Sequence, residues 1–226
     1  MTQPETQIRS AWRHIAGPHH DGYIDDVLVR YAEPHRHYHT ATHVMFVLRH
    51  VRDIAHAGGA APSPAVIAAA LYHDAIYEPA AHDNEGASAV LAVHDLGEIG
   101  WARDECEKVA GLIIATAGHV ADDAVTVGRG EGGEGPQRSD TGDVAMLLDA
   151  DLAVLGADPA MYQAYVNGVR AEYAHVSDEQ WRIGRRDVLV RFLGRDRLYR
   201  TSHMHETFDR RARANIEAEL ATLRDG

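Results

Sequence analysis

Along most of the chain, apolar residues recur at intervals of three and four, the period of a helix that buries one face. Ile24, Val27, Leu28 and Tyr31 form one such set, Val44, Val47, Leu48 and Val51 a second, and Val66, Ala69, Ala70 and His73 a third. The same period predicts helices near 85–96, 103–116, 143–155, 159–173, 178–193 and 206–223. Pro34, Gly58-Gly59, Pro62, Pro79, Gly97 and the run from Gly156 to Pro159 punctuate them. No stretch alternates apolar and polar residues as a half-buried strand would, so the expected fold is all-α. Residues 122–142 break the pattern, with six glycines and almost nothing apolar. Such a segment buries too little surface to offset its ordering entropy, and it reads as a flexible surface loop.

Composition narrows the picture. A chain of 226 residues with 45% hydrophobic side chains is expected to fold as a single domain over 1–226, since one core serves chains of up to roughly 250 residues. The one cysteine, Cys106, excludes a disulfide scaffold and fits a reducing, cytoplasmic setting. The longest apolar run, Ala65 to Tyr72, is far short of the roughly 18 residues that a membrane-crossing helix needs. The start, MTQPETQIRS, lacks signal-peptide character. A net charge of −12 argues against nucleic acid as a partner, because phosphate contacts require a basic face. The charge is uneven: residues 1–169 hold 10 basic and 24 acidic side chains, residues 170–226 hold 12 and 10. That basic tail end suits either a small anionic ligand or a solvated helix face with salt bridges. Dimerisation is plausible for an all-α protein of this size.

Sixteen histidines are the anomaly, and their clustering carries the chemistry. In Arg36-His37-Tyr38-His39-Thr40-Ala41-Thr42-His43, Thr40 or Thr42 can cap a helix that places His43 in its first turns and His39 at its entrance. A zinc-protease helix would need glutamate where Thr40 stands. The apolar run ending in Tyr72 is followed by His73-Asp74, a pair that is costly to bury without a partner such as a divalent cation. The bland alternative is a carboxylate that orients a core histidine. In Met146 to Gly156, Asp149 and Asp151 interrupt an otherwise apolar run. Two positions apart, they differ by about 200° around a helix, so one ion cannot take both from regular helix.

The order His43, His73-Asp74, Asp151 resembles the HD-domain superfamily of metal-dependent phosphohydrolases, whose ligands follow an H…HD…D pattern on an all-α bundle. The resemblance covers roughly residues 34–156, with further C-terminal helices beyond. More narrowly, the segments YHTATH, ALYHDAIYEP, DNEGASA, LDADLAVLG, the Tyr173 region and GRRDVLVRFLGRDRLY look like a bacterial subgroup of predicted HD-superfamily hydrolases without a settled substrate. It implies metal ligation by His43, His73, Asp74 and Asp151, with Asp149 as the runner-up for the last position. The Tyr38-His39 and His43 spacing also resembles the entry of cyclic-nucleotide phosphodiesterases, which implies proton transfer by His39. Thr40 and Tyr77 depart from that family, where asparagine and histidine are expected.

Two imidazoles and two carboxylates suit manganese, iron, cobalt, nickel or zinc, with magnesium as a further option. Arg36 and Arg185 are the candidates to grip phosphate oxygens, each weighed against a salt bridge. Glu85 is a second candidate for proton transfer, or a first-turn helix glutamate answering the dipole. His119 is a candidate substrate contact or helix-end histidine, and less readily a ligand of a second ion. Tyr162, Tyr165, Trp181 and Phe192 fall at helical spacings and read as core. The expected function is hydrolysis of a phosphate ester or phosphoanhydride of a small molecule, a nucleotide above all. The rivals are a catalytically inactive metal- or nucleotide-binding module and, third, a di-iron oxygenase on the same fold.

Overall fold

The computed structural model describes residues 3–117 and 138–225, and among these there is no β-strand. Ten α-helices account for most of them: α1 Pro4–Ala16, α2 Asp21–Arg30, α3 Ala41–Ala57, α4 Pro64–Tyr72, α5 Asn84–Glu98, α6 Arg103–Thr116, α7 Arg138–Asp151, α8 Pro159–Glu172, α9 Asp178–Leu193 and α10 Ser202–Asp225. The all-α expectation holds. No helix among the described residues is long and apolar enough to cross a membrane.

Local chemistry explains several boundaries. Ser63 accepts a hydrogen bond from the Val66 N–H and Pro64 opens α4, a start that satisfies one otherwise orphaned donor. Asp158 caps α8 in the same way, just before Pro159. Ser177 and Gln180 close a reciprocal capping box on α9. Thr40 does stand at the N-cap of α3, although its side chain makes no capping bond.

The helices differ in how they are used. Every residue of α4 from Ala65 to Tyr72 is buried, so this short helix is apolar on all sides and runs through the middle of the bundle. Around it pack α1, α3, α5, α6 and α7, while α10 lies against α9 and the short 3-10 helix Leu152–Gly156. Gly156 permits that contact: a Cβ there would meet the Phe208 Cβ at 2.8 Å. One contiguous apolar cluster extends from Ile8 and Trp12 in α1 to Ile216 and Leu220 in α10.

Two expectations are corrected here. The first helix was not among those predicted, yet Ile8 and Trp12 are fully buried core residues four apart on α1. Residues 138–142, assigned to the loop of 122–142, belong to α7 instead, and the rest of that loop lies outside the described residues.

Candidate metal centre and its cleft

Three helix ends meet in the wall of a cleft of about 790 Å³. His43 sits in the first turn of α3, His73-Asp74 follows the last turn of α4, and Asp151 ends α7. Both imidazoles are buried, whereas Asp74 and Asp151 are part-exposed and line the cleft. The Nε2 atoms of His43 and His73 are 3.1 Å apart. Asp74 Oδ2 lies 3.3 Å from the first and 3.1 Å from the second. Asp151 Oδ1 lies 3.1 Å and 3.6 Å from the same two atoms.

These spacings have the scale of a coordination polyhedron. Donors held by one first-row ion at about 2.0–2.2 Å are separated by about 3.0–3.5 Å. His43, His73 and Asp151 each bring one donor atom within 4.8 Å of the other two, a grouping able to hold a metal ion. His73 is also in the right tautomer, because its Nδ1 lies 3.1 Å from the Ala70 carbonyl, which can only accept. Nδ1 therefore carries hydrogen, and in the neutral ring the Nε2 lone pair faces the cluster. The donor set thus fits a divalent cation.

Electrostatics says the same in terms of protons. Burial alone would depress the imidazoles, yet Asp74 and Asp151 raise His73 well above the ordinary histidine range and raise His43 as well. Burial would push the Asp74 carboxyl up, but His73, His39 and His43 hold it well below the usual carboxylate range. Two buried imidazoles beside two carboxylates need positive charge among them, whether protons or a cation.

Beside this cluster His39 lines the cleft, with its Nδ1 2.7 Å from Glu172 Oε2 at the end of α8. A carboxylate oxygen accepts, so Nδ1 carries the hydrogen and Nε2 is left as the ring's other polar atom. Glu172 escaped the sequence reading altogether. Its Oε1 accepts from the backbone N–H groups of His37, Tyr38 and His39 at 2.8, 2.7 and 2.9 Å, and Oε2 also accepts from the Tyr77 hydroxyl at 3.1 Å. Burial would raise the Glu172 pKa, but His39 and these N–H groups hold it at about 2. Gly168, one turn earlier on α8, lets the helix come this close, since a Cβ there would meet the Tyr38 Cβ at 3.1 Å and the His37 carbonyl at 3.2 Å.

Arg36 does not take the role predicted for it. Its side chain is fully enclosed, with Nε on Glu33, Nη1 on the His39 and Asp74 carbonyls and Nη2 on the Ala75 carbonyl. The guanidinium binds the entrance of α3 to the His73-Asp74 segment, with four of its five N–H donors spent within the fold and the side chain closed off from the cleft. Arg185 does line the cleft, yet its fork grips Glu219 at 2.8 and 3.0 Å and Nη1 donates to the Tyr165 hydroxyl. Its charge is answered within the fold.

Asp149 also drops out as a ligand. Its oxygens accept from the Arg200 N–H and from the Thr201 N–H and hydroxyl, which pins the chain ahead of α10. Glu85 lies in the cleft wall in the first turn of α5, and among the described residues its side chain makes no hydrogen bond or ion pair. His119 lies outside the described residues. Tyr162 and Phe192 are core, as read, but Tyr165 and Trp181 are only half-buried and face the cleft with Tyr77 and Tyr173. Cys106 is free and buried.

Comparison with protein-family models, curated proteins and solved structures finds no match to this chain.

Proposed function

We propose that the protein is a metal-dependent phosphohydrolase that cleaves a phosphate ester or phosphoanhydride of a small molecule, with a nucleotide as the leading substrate class. The observation that carries this reading is the convergence of His43, His73, Asp74 and Asp151 at the wall of an open cleft, in the chain order for which the sequence resembles the HD superfamily. A divalent ion bound there supplies a Lewis acid for a phosphoryl oxygen and lowers the pKa of a water molecule that it carries.

The chain's own residues do the rest. His43, His73, Asp74 and Asp151 would hold the ion, and the two carboxylates are part-exposed in the cleft wall. His39 moves a proton at Nε2, with Glu172 fixing its tautomer and its orientation. Arg36 holds the two ligand-bearing segments in register rather than touching substrate. Tyr77, Tyr165, Tyr173 and Trp181 give the cleft an aromatic lining suited to an organic group attached to the phosphate.

The test is metal content per chain by elemental mass spectrometry, on the parent protein and on Asp74→Ala in parallel, with circular dichroism to verify folding. One or two equivalents in the parent, lost in the folded variant, are expected. A phosphatase screen with added manganese, cobalt or magnesium should then find activity only in the parent. No metal in either protein, even after reconstitution, would remove the hydrolase reading.

A further inference from the structure

A second, smaller cleft of about 340 Å³ lies between α1, α3 and the start of α4, and it shares no lining residue with the catalytic cleft. Its floor is apolar, with Leu48 and Val51 from α3 and Ile67 from α4, which are 2%, 0% and 7% exposed. Its rim is basic. Arg52 and His56 rise from α3, one turn apart, and His14 faces them from α1.

The charge balance of this cleft is opposite to that of the molecule. The chain carries 34 acidic against 22 basic side chains, yet none of the 11 residues lining the cleft is acidic. Arg52 is exposed, its Nε donates to the Leu48 carbonyl of its own helix at 3.2 Å, and among the described residues no carboxylate pairs with it. That bond fixes the root of the guanidinium and leaves both terminal nitrogens as donors. Several other arginines, Arg9, Arg13, Arg36, Arg170, Arg185 and Arg213 among them, instead meet carboxylates.

We infer that this cleft binds a small amphipathic carboxylic acid, with its carboxylate on Arg52 and its hydrocarbon body on Leu48, Val51 and Ile67. A guanidinium matches a carboxylate through two parallel hydrogen bonds. The apolar floor supplies the remaining affinity by removing hydrocarbon from water. The volume lies within the range typical of small-molecule sites and takes a molecule of about ten heavy atoms. A single arginine on an apolar floor favours a monoanion over a phosphate dianion. The site is independent of the hydrolase reading, because no part of it touches the proposed metal ligands.

Isothermal titration calorimetry on the full chain tests this, using octanoate below its micellar concentration, octanamide as the uncharged analogue and inorganic phosphate as the purely polar anion. Octanoate should bind saturably at one site per chain, about tenfold or more tighter than octanamide, as the loss of a charge-assisted pair requires, and phosphate should not bind there. Arg52→Gln should bring octanoate down to the octanamide level. Ala11→Phe, which fills the cleft from α1, should abolish both while circular dichroism shows the fold retained. Absence of saturable octanoate binding would overturn the proposal. So would equal affinity for acid and amide, or binding unchanged in Arg52→Gln and Ala11→Phe.

Discussion

His43 and His50 stand two turns apart on the same helix and are almost equally buried, at 3% and 4% exposure, yet their surroundings are opposite. His43 faces His73 and two carboxylates, and its pKa is raised. His50 lies edge-on between Phe46 and Phe208, with ring centroids 4.4 and 5.4 Å away, its Nε2 has no partner, and burial with Arg49 lowers its pKa to about 4. Burial of a histidine is therefore not the mark of a site. What distinguishes them is the second, negatively charged element that converges on His43 and is missing around His50.

The sharpest way to break this comparison is to remove each ring in turn. His43→Gln is expected to lower metal affinity by more than a hundredfold, since even the outer partners of metal ligands are worth about 10–100-fold, and to abolish phosphatase activity. His50→Leu should leave metal stoichiometry and activity within about twofold, because it removes an unpaired polar atom from an apolar niche. Metal titration on both folded variants checks this, and equal losses in the two would show that the distinction is empty.

Glu172→Gln comes next. The amide retains an acceptor for the N–H groups of residues 37–39 but cannot serve both these and the His39 Nδ1–H as two carboxylate oxygens do. Turnover should fall by about 10²–10⁴, the usual worth of a positioned acid or base. KM and metal content should stay near those of the parent, and the pH–rate profile should shift. Steady-state kinetics across pH separates this from simple damage, which would move metal content and KM as well.

Legibility in the sequence follows from how far away the deciding partner lies. The helices were readable because periodicity is local, and the ligand candidates were readable because His73, Asp74 and Asp151 each sit where an apolar run gives way to a polar group. Arg36 and Arg185 were misread because charge type shows in sequence while most of what surrounds it does not: Glu219 is 34 residues from Arg185, and although Glu33 lies only three residues from Arg36, the carbonyls that take up its other donors carry no signal at all. Glu172 was missed for the same reason, as an isolated acid at a helix end 133 residues from His39. Asp149 and Asp151 were separable only in part: helical geometry said that they diverge, and only the Thr201 contacts show which one turns away.

Acidity should separate the two regions without mutation. His50 has a folded pKa of about 4 against an ordinary 6.5, so the unfolded chain binds more protons between those values. Stability therefore rises with pH through that window, and the His50 contribution, about 3 kcal/mol at most, is lost as pH falls from 6.5 toward 4. Glu172, at about 2 against 4.5, also contributes stability that is lost on acidification, but in the lower window. Urea titrations at pH 7 and pH 4.5 should show a smaller difference for His50→Leu than for the parent, whereas Glu172→Gln should flatten only the limb below about pH 4.5. An unchanged difference in His50→Leu would mean that His50 is not buried neutral.

The smallest effect tests how tightly α8 must approach the end of α3 that carries the proposed metal ligand His43. In Gly168→Ala the new methyl group meets the Tyr38 Cβ at 3.1 Å and the His37 carbonyl at 3.2 Å, so one side must yield by a few tenths of an ångström. Alanine favours the helix over glycine by about 1 kcal/mol, while a mild overpacking costs about the same, and net stability should stay within about 1 kcal/mol. The displacement, however, is transmitted through Glu172, one turn along α8, to the His37–His39 backbone and the His39 ring. Since a 1 Å misplacement can cost about a hundredfold in rate, a shift of this size should lower turnover by several-fold with metal content untouched. Turnover equal to the parent's would show that the α8 contact serves packing alone and that the position of His39 is set from its own loop.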